Sequence, residues 1–139
     1  MSITIESRHA ITDVIHLFYH LVDSGHASQT ARLFAPQAKL TFGPGSPQPG
    51  TITGDRIRVA MTEREALKAA FTRHVVSNIM FGDGAEAPTI RYLLTLFRSD
   101  DETRSSIPAF VADVIEIWQH GDDCWQIAER TIMPTFARA

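Results

Sequence analysis

Residues 8–23 read RHAITDVIHLFYHLVD, and the spacing of apolar residues in this run decides the first element of the fold. Ile11, Val14, Ile15, Phe18 and Val22 recur at the period of one helix face, with Leu17 and Leu21 widening the stripe. Gly25 suits the stop of this helix, because glycine reaches the left-handed conformation that ends many helices. Downstream, Ala27 to Phe34 predicts a second short helix with Ala31, Leu33 and Phe34 inward, and Pro36 is expected to end it.

A helix with a single apolar stripe needs a partner layer, and the second half of the chain offers one. Thr72 to Phe81, Pro88 to Phe97, Ile107 to Trp118 and Trp125 to Pro134 read as four strands separated by Gly-, Asp- and Ser-rich turns. The third is the densest in β-branched and aromatic residues, AFVADVIEIW over 109–118. Between the two halves, Ala38 to Phe42 reads as a short strand. The following FGPGSPQPG, 42–50, reads as a loop beside a pocket mouth, since its prolines and glycines forbid regular structure. From Asp55 to Phe71 the pattern is helical again, with Thr62 and Glu65 as a capping box that breaks the helix near Met61. Helices first and antiparallel strands last is an α+β arrangement. The expected architecture is a cone-shaped, curved mixed or antiparallel sheet with three helices of the N-terminal half enclosing an apolar pocket.

The chain has 139 residues, 44% hydrophobic and 21% charged, the range of one globular domain spanning 1–139. A formal net charge of −3 supplies no basic field for nucleic acid or an anionic membrane. The single cysteine, Cys124, allows no internal disulfide and reads as a small packing residue at a strand start. The opening MSITIESRHA lacks the basic and apolar regions of a signal peptide, and no apolar stretch approaches the roughly 18 residues of a membrane span. These features predict a cytoplasmic protein without nucleic-acid or membrane partners.

His74, in TRHVVSN at 72–78, is a candidate general base. Strand alternation puts it on one face with Val76 and Asn78, and apolar neighbours can move a histidine across neutrality. A packed histidine with a satisfied hydrogen bond fits the same position. Asp23 stands at the negative end of the first helix, where an acid is unfavourable, so an orienting role toward a histidine is a candidate reason for it. On a helical wheel it falls on the polar flank beside Tyr19 and His16. His16 and His20, one turn apart near Asp13, have the spacing of metal ligands but no third ligand of clear geometry, so no metal is expected. No dinucleotide, phosphate-loop or nucleophile-elbow motif is present, and no cofactor is expected.

The run RHAITDVIHLFYHLVDSGHASQTARLFAP, the TRHVVSN segment and the ending VIEIWQHGDDCWQIAERTIMP together resemble the SnoaL-like branch of the nuclear transport factor 2-like superfamily. Its members include scytalone dehydratase, a hexachlorocyclohexane dehydrochlorinase, bile acid dehydratase and polyketide cyclases. The resemblance implies a cystatin-like cone and a dyad, with His74 as base and Asp23 as its orienting partner. A tyrosine that some dehydratases use falls on Phe18, with Tyr19 one step off; an arginine and an acid of bile acid dehydratase fall on Pro134 and Thr95. The resemblance thus implies a cofactor-independent lyase or isomerase acting on a small apolar cyclic or carbonyl-bearing molecule, with Tyr19, Met61 and Trp118 lining the pocket. The small subunits of ring-hydroxylating dioxygenases share the fold and the WxIAxR ending, so a non-catalytic subunit is the alternative, and a polyketide cyclase a third reading. Val111, Ile115 and Ile117 share one strand face, Val114 and Trp118 the other. One of these faces lacks a cover within the chain, which predicts a homodimer or higher symmetric oligomer through the convex side of the sheet.

Overall fold

The computed structural model describes residues 2–68 and 70–138. Helix α1 (Ile5–Asp23) leads through a short 3₁₀ helix (Ala27–Leu33) into strand β1 (Phe34–Phe42). Strand β2 (Gly50–Thr53) and helix α2 (Asp55–Ala66) follow, then β3 (Phe71–Phe81), β4 (Thr89–Ser99), β5 (Phe110–His120) and β6 (Trp125–Ala137). The six strands form one sheet in the order β2-β1-β6-β5-β4-β3. All neighbours are antiparallel except β1 and β6, which run parallel. The sheet is therefore mixed and open, with three helices: a cystatin-like α+β cone.

The apolar stripe of α1 meets the inner face of the sheet. Ile11, Ile15, Phe18 and Val22 are buried with Ile90 and Leu94 of β4, Ala112 and Val114 of β5, and Ile127 of β6. Thr4 caps the start of α1 by accepting the Ser7 N–H at 3.1 Å. The end is a Schellman motif: His26 N–H reaches Leu21 C=O at 2.8 Å, Gly25 N–H reaches Val22 C=O at 3.3 Å, and Gly25 takes φ +86°. Asp23 is thereby fixed as the last helical residue.

Several sequence expectations need correcting. Pro36 lies inside β1, not at a helix end. It is tolerated because pairing with β6 lapses between Phe34 and Lys39, where a missing N–H costs no ladder bond. β1 is accordingly longer than expected, and β2, four residues long, is too short to show a pattern. α2 ends at Ala66 and is unbroken at Met61. Thr62 bonds back to Arg58 C=O at 3.0 Å, and Glu65 accepts the Ser28 hydroxyl at 2.7 Å, so no capping box forms. Leu17 is 37% exposed and does not widen the buried stripe. Cys124 is exposed in the β5–β6 turn rather than buried at a strand start.

Asn78 does not share the inner face with His74 and Val76. The register of β3 against β4 shifts between Ser77 and Met80, and Asn78 takes φ +58°. This bulge turns Asn78 outward and hands the inward parity to Ile79 and Phe81, which pack on the core. Asparagine tolerates the left-handed region better than most residues. Asn78→Gly should therefore leave the urea unfolding free energy within about 0.5 kcal/mol of the parent, whereas Asn78→Val should lower it by about 1–2 kcal/mol. Equal effects of the two substitutions would contradict the bulge.

Candidate active site

Asp23 at the end of α1 and His74 near the start of β3 are brought together. His74 Nδ1 lies 2.6 Å from Asp23 Oδ1, and the His74 backbone N–H donates to Oδ2 at 2.8 Å. The Thr72 hydroxyl donates to Oδ1 at 2.9 Å and itself accepts from Arg64 of α2 at 3.0 Å. The side chains of His74 and Asp23 are only 13% and 12% exposed. Asp23 and Tyr19 thus face the sheet rather than the polar flank.

Placing an acid at a helix C-terminus and out of water is costly twice over. Burial pushes the Asp23 carboxyl up, but the hydrogen bonds and charge of His74, with Thr72, outweigh it and hold the group below the ordinary aspartate range. Asp23 is therefore a carboxylate at neutral pH and accepts the Nδ1 proton. Among the described residues Nε2 has no hydrogen-bond partner, so it is the ring nitrogen left open when Nδ1 bonds Asp23.

Tyr19 stacks on the His74 ring, centroids 5.0 Å apart and planes at 29°. Its hydroxyl meets that of Tyr92 at 2.7 Å, and Tyr92 donates to Glu116 Oε2 at 2.7 Å. Because the Tyr92 proton goes to Glu116, the Tyr19 hydroxyl is the donor in the pair. Glu116 also accepts from the Trp118 indole at 3.0 Å and from Arg130 Nε. Glu116 and Arg130 are 0% and 1% exposed. Burial pushes the Tyr19 phenol up to about 12 and Tyr92 well above its ordinary range, so both remain protonated. Burial would lower the Arg130 guanidinium, but Glu116 more than offsets it and the net direction is upward. Arg130 is thus a permanent buried cation. Its guanidinium carbon lies 3.9 Å over the Phe18 ring and 5.2 Å from the Tyr19 ring centre, and its NH2 group is sealed without an acceptor.

The expected apolar pocket is not open between α1 and the sheet. Phe18, Tyr19, Tyr92, Trp118 and Arg130 fill that space, and its centre is charged. Trp118 is wholly buried and bonded to Glu116, and Met61 packs against the core from α2. Two surface clefts stand elsewhere. One of about 430 Å³ lies between the 3₁₀ helix, β1 and α2, lined by residues including Phe34 and Ile57; the other, of about 130 Å³, lies beside Phe71. Neither is lined by Asp23 or His74. His16 and His20 are exposed on the outer side of α1, and among the described residues no three His, Cys, Asp or Glu side chains cluster as metal ligands. Thr95 and Pro134 are half-buried, whereas the interior acid and base are Glu116 and Arg130. Glu116 carried a signal in the sequence: alternation puts it on one face with Val114 and Trp118.

The sequence pattern of the SnoaL-like domain matches residues 4–131. Comparison with curated proteins gives no match. Among solved structures, a nuclear transport factor 2-like protein with a cystatin-like fold from Novosphingobium aromaticivorans is 18% identical with TM-score 0.79, over 97% of this chain and 86% of that one. A protein of the same organism provisionally assigned as a scytalone dehydratase is 16% identical with TM-score 0.76, over 94% and 85%. One provisionally assigned as an aromatic ring hydroxylase is 17% identical with TM-score 0.74, over 96% and 92%. At these identities the likeness is one of fold.

The depressed Asp23 carboxyl has a pH consequence. A group whose folded pKa lies below its unfolded value contributes stability that is present above the unfolded value, about 4, and lost as pH falls through the folded one. Asp23→Asn should be less stable than the parent by about 1–3 kcal/mol at neutral pH. That gap should close as acid protonates Asp23 in the parent. Urea unfolding of both proteins from pH 7 to pH 2.5 checks it; a gap independent of pH would contradict the assigned charge.

Proposed function

The chain belongs to the family of SnoaL-like domains, and from that premise we propose that it is a cofactor-independent lyase or isomerase of the dehydratase type, acting by proton transfer on a small carbonyl-bearing molecule. The observation that carries this reading is the Asp23–His74 pair, 2.6 Å apart, with Nε2 left without a partner among the described residues. Asp23 holds the tautomer that presents the Nε2 lone pair and stabilises the imidazolium formed when His74 takes a proton. Arg130 does not reach a substrate, since it is sealed behind the Tyr19 ring and paired with Glu116; its part in this reading is to hold Tyr19, the ring that stacks on His74. Tyr19 is read as a platform, because its own proton is committed to Tyr92. Met61 and Trp118 are structural supports in this reading.

The packed interior favours a second reading, a non-catalytic subunit in which the pair only ties α1 to β3. Exchange of α-protons separates the two. Carbonyl compounds incubated with the protein in D₂O should lose α-proton NMR signal, and His74→Asn should slow that exchange by about 10²–10⁴. Absence of exchange across cyclic and acyclic ketones, or exchange undiminished in His74→Asn, would establish the non-catalytic reading.

Residues 1–139 are read as one domain, and its convex face as a contact between copies. Val75, Met133 and Phe136 are 49%, 46% and 71% exposed there, beside half-buried Val111, Ile115 and Ile117. So much apolar surface on one face calls for a cover, and a second copy about a two-fold axis supplies it. Light scattering at micromolar concentration should give a multiple of 15.5 kDa; a stable monomer mass would refute the assembly.

A further inference from the structure

The cleft of about 130 Å³ beside Phe71 has a composition that neither the dyad nor the core accounts for. Its apolar walls are Phe71 and Phe97, and Arg73, Arg104 and Ser105 border it. Phe71 and Arg73 alternate with the inward Thr72 and His74, so the cleft opens on the opposite face of β3 from Asp23. Two guanidinium groups share one ring: the Arg73 carbon lies 4.7 Å from the Phe71 centroid and the Arg104 carbon 4.3 Å. The separation of these like charges is therefore at most the sum of those distances.

Arg104 is held there by its loop. Its φ is +45°, a left-handed conformation unusual for arginine. Its backbone N–H donates to Ser99 Oγ at 3.3 Å, and Ser99 Oγ donates to the Asp101 carbonyl at 2.9 Å. Two carboxylates of this loop are engaged, Asp100 by Arg98 at 3.1 Å and Asp101 by the Thr103 N–H at 2.8 Å; the third, Glu102, is exposed and forms no ion pair among the described residues. Among the described residues neither Arg73 nor Arg104 has an ion-pair partner. Arg73 spends one N–H on the Thr72 carbonyl at 2.8 Å. Ser105 Oγ accepts the Ile107 N–H at 3.1 Å, leaving its own proton unassigned. Two guanidiniums that both rest on the Phe71 ring and have no ion-pair partner among the described residues offer donors to an anion.

We propose that this cleft binds a small organic carboxylate with an apolar body. The planar, two-oxygen head matches the guanidinium forks, and the ring or branched body packs between Phe71 and Phe97. The volume is about that of one ring. The proposal is independent of any role for His74.

The test uses benzoate, benzamide and inorganic phosphate, each titrated into the labelled wild-type protein at low salt and followed by NMR at the arginine Nε–H and phenylalanine ring signals. Benzoate should give saturable shifts at Arg73, Arg104 and Phe71. Arg73→Gln or Arg104→Gln should weaken its binding about tenfold, and added salt should weaken it further. Benzamide should not saturate, and phosphate should bind less tightly than benzoate. Benzamide binding as well as benzoate would overturn the anion site, and phosphate binding more tightly would overturn the apolar body. If Arg73→Gln and Arg104→Gln dissociate an oligomer yet leave benzoate binding unchanged, those guanidiniums serve the carboxylates of a second copy and the proposal fails.

Discussion

Glu116 on β5 and Arg130 on β6 are paired residues in the register of the two strands, and both are sealed from water. Removing one partner of such a pair typically costs about 3–5 kcal/mol, because the other charge is left bare in a medium that cannot solvate it. The interior is arranged around this constraint. Glu116 takes donors from Arg130, Tyr92 and Trp118, so its charge is spread over three bonds. That demand orients Tyr92, Tyr92 orients Tyr19, and Tyr19 lies flat against His74. An ion pair in the middle of the sheet thus reaches the imidazole through two phenols.

From the other side, His74 is held by the chain Arg64–Thr72–Asp23, which joins α2, β3 and α1 through successive donors. The two supports act on different atoms. The stacked ring fixes the plane of the imidazole, and the carboxylate fixes which nitrogen carries the proton. The side chain is thereby constrained in both plane and tautomer.

Periodic features were legible in the sequence; parity reversals were not. The stripe of α1, the stop at Gly25 and the four long strands all follow from spacing that packing then reinforces. Alternation along β6 from Ile127 would put Glu129 inside and Arg130 outside. The register instead shifts at Ala128, pairing Ile117 with Glu129 and Trp118 with Ile127, and Arg130 turns inward. The bulge at Asn78 does the same to β3. A bulge leaves little trace in composition, so the buried arginine stayed hidden although Glu116 stood among inward residues. The pairing of Asp23 with His74 rested on resemblance, because two residues 51 positions apart have no local pattern to join them. Tyr19 and Asp23 were read as a polar flank because a wheel takes no account of β3 packing against the end of α1.

β3 is the last strand of the sheet, and its outer backbone edge is the kind of surface onto which a foreign strand can grow. The His74 N–H points along that edge and is already occupied by Asp23. Four residues on, the kink at Asn78 spoils the straight template. The same aspartate that bonds the imidazole therefore also takes one of the edge donors onto which a foreign strand would have to pair.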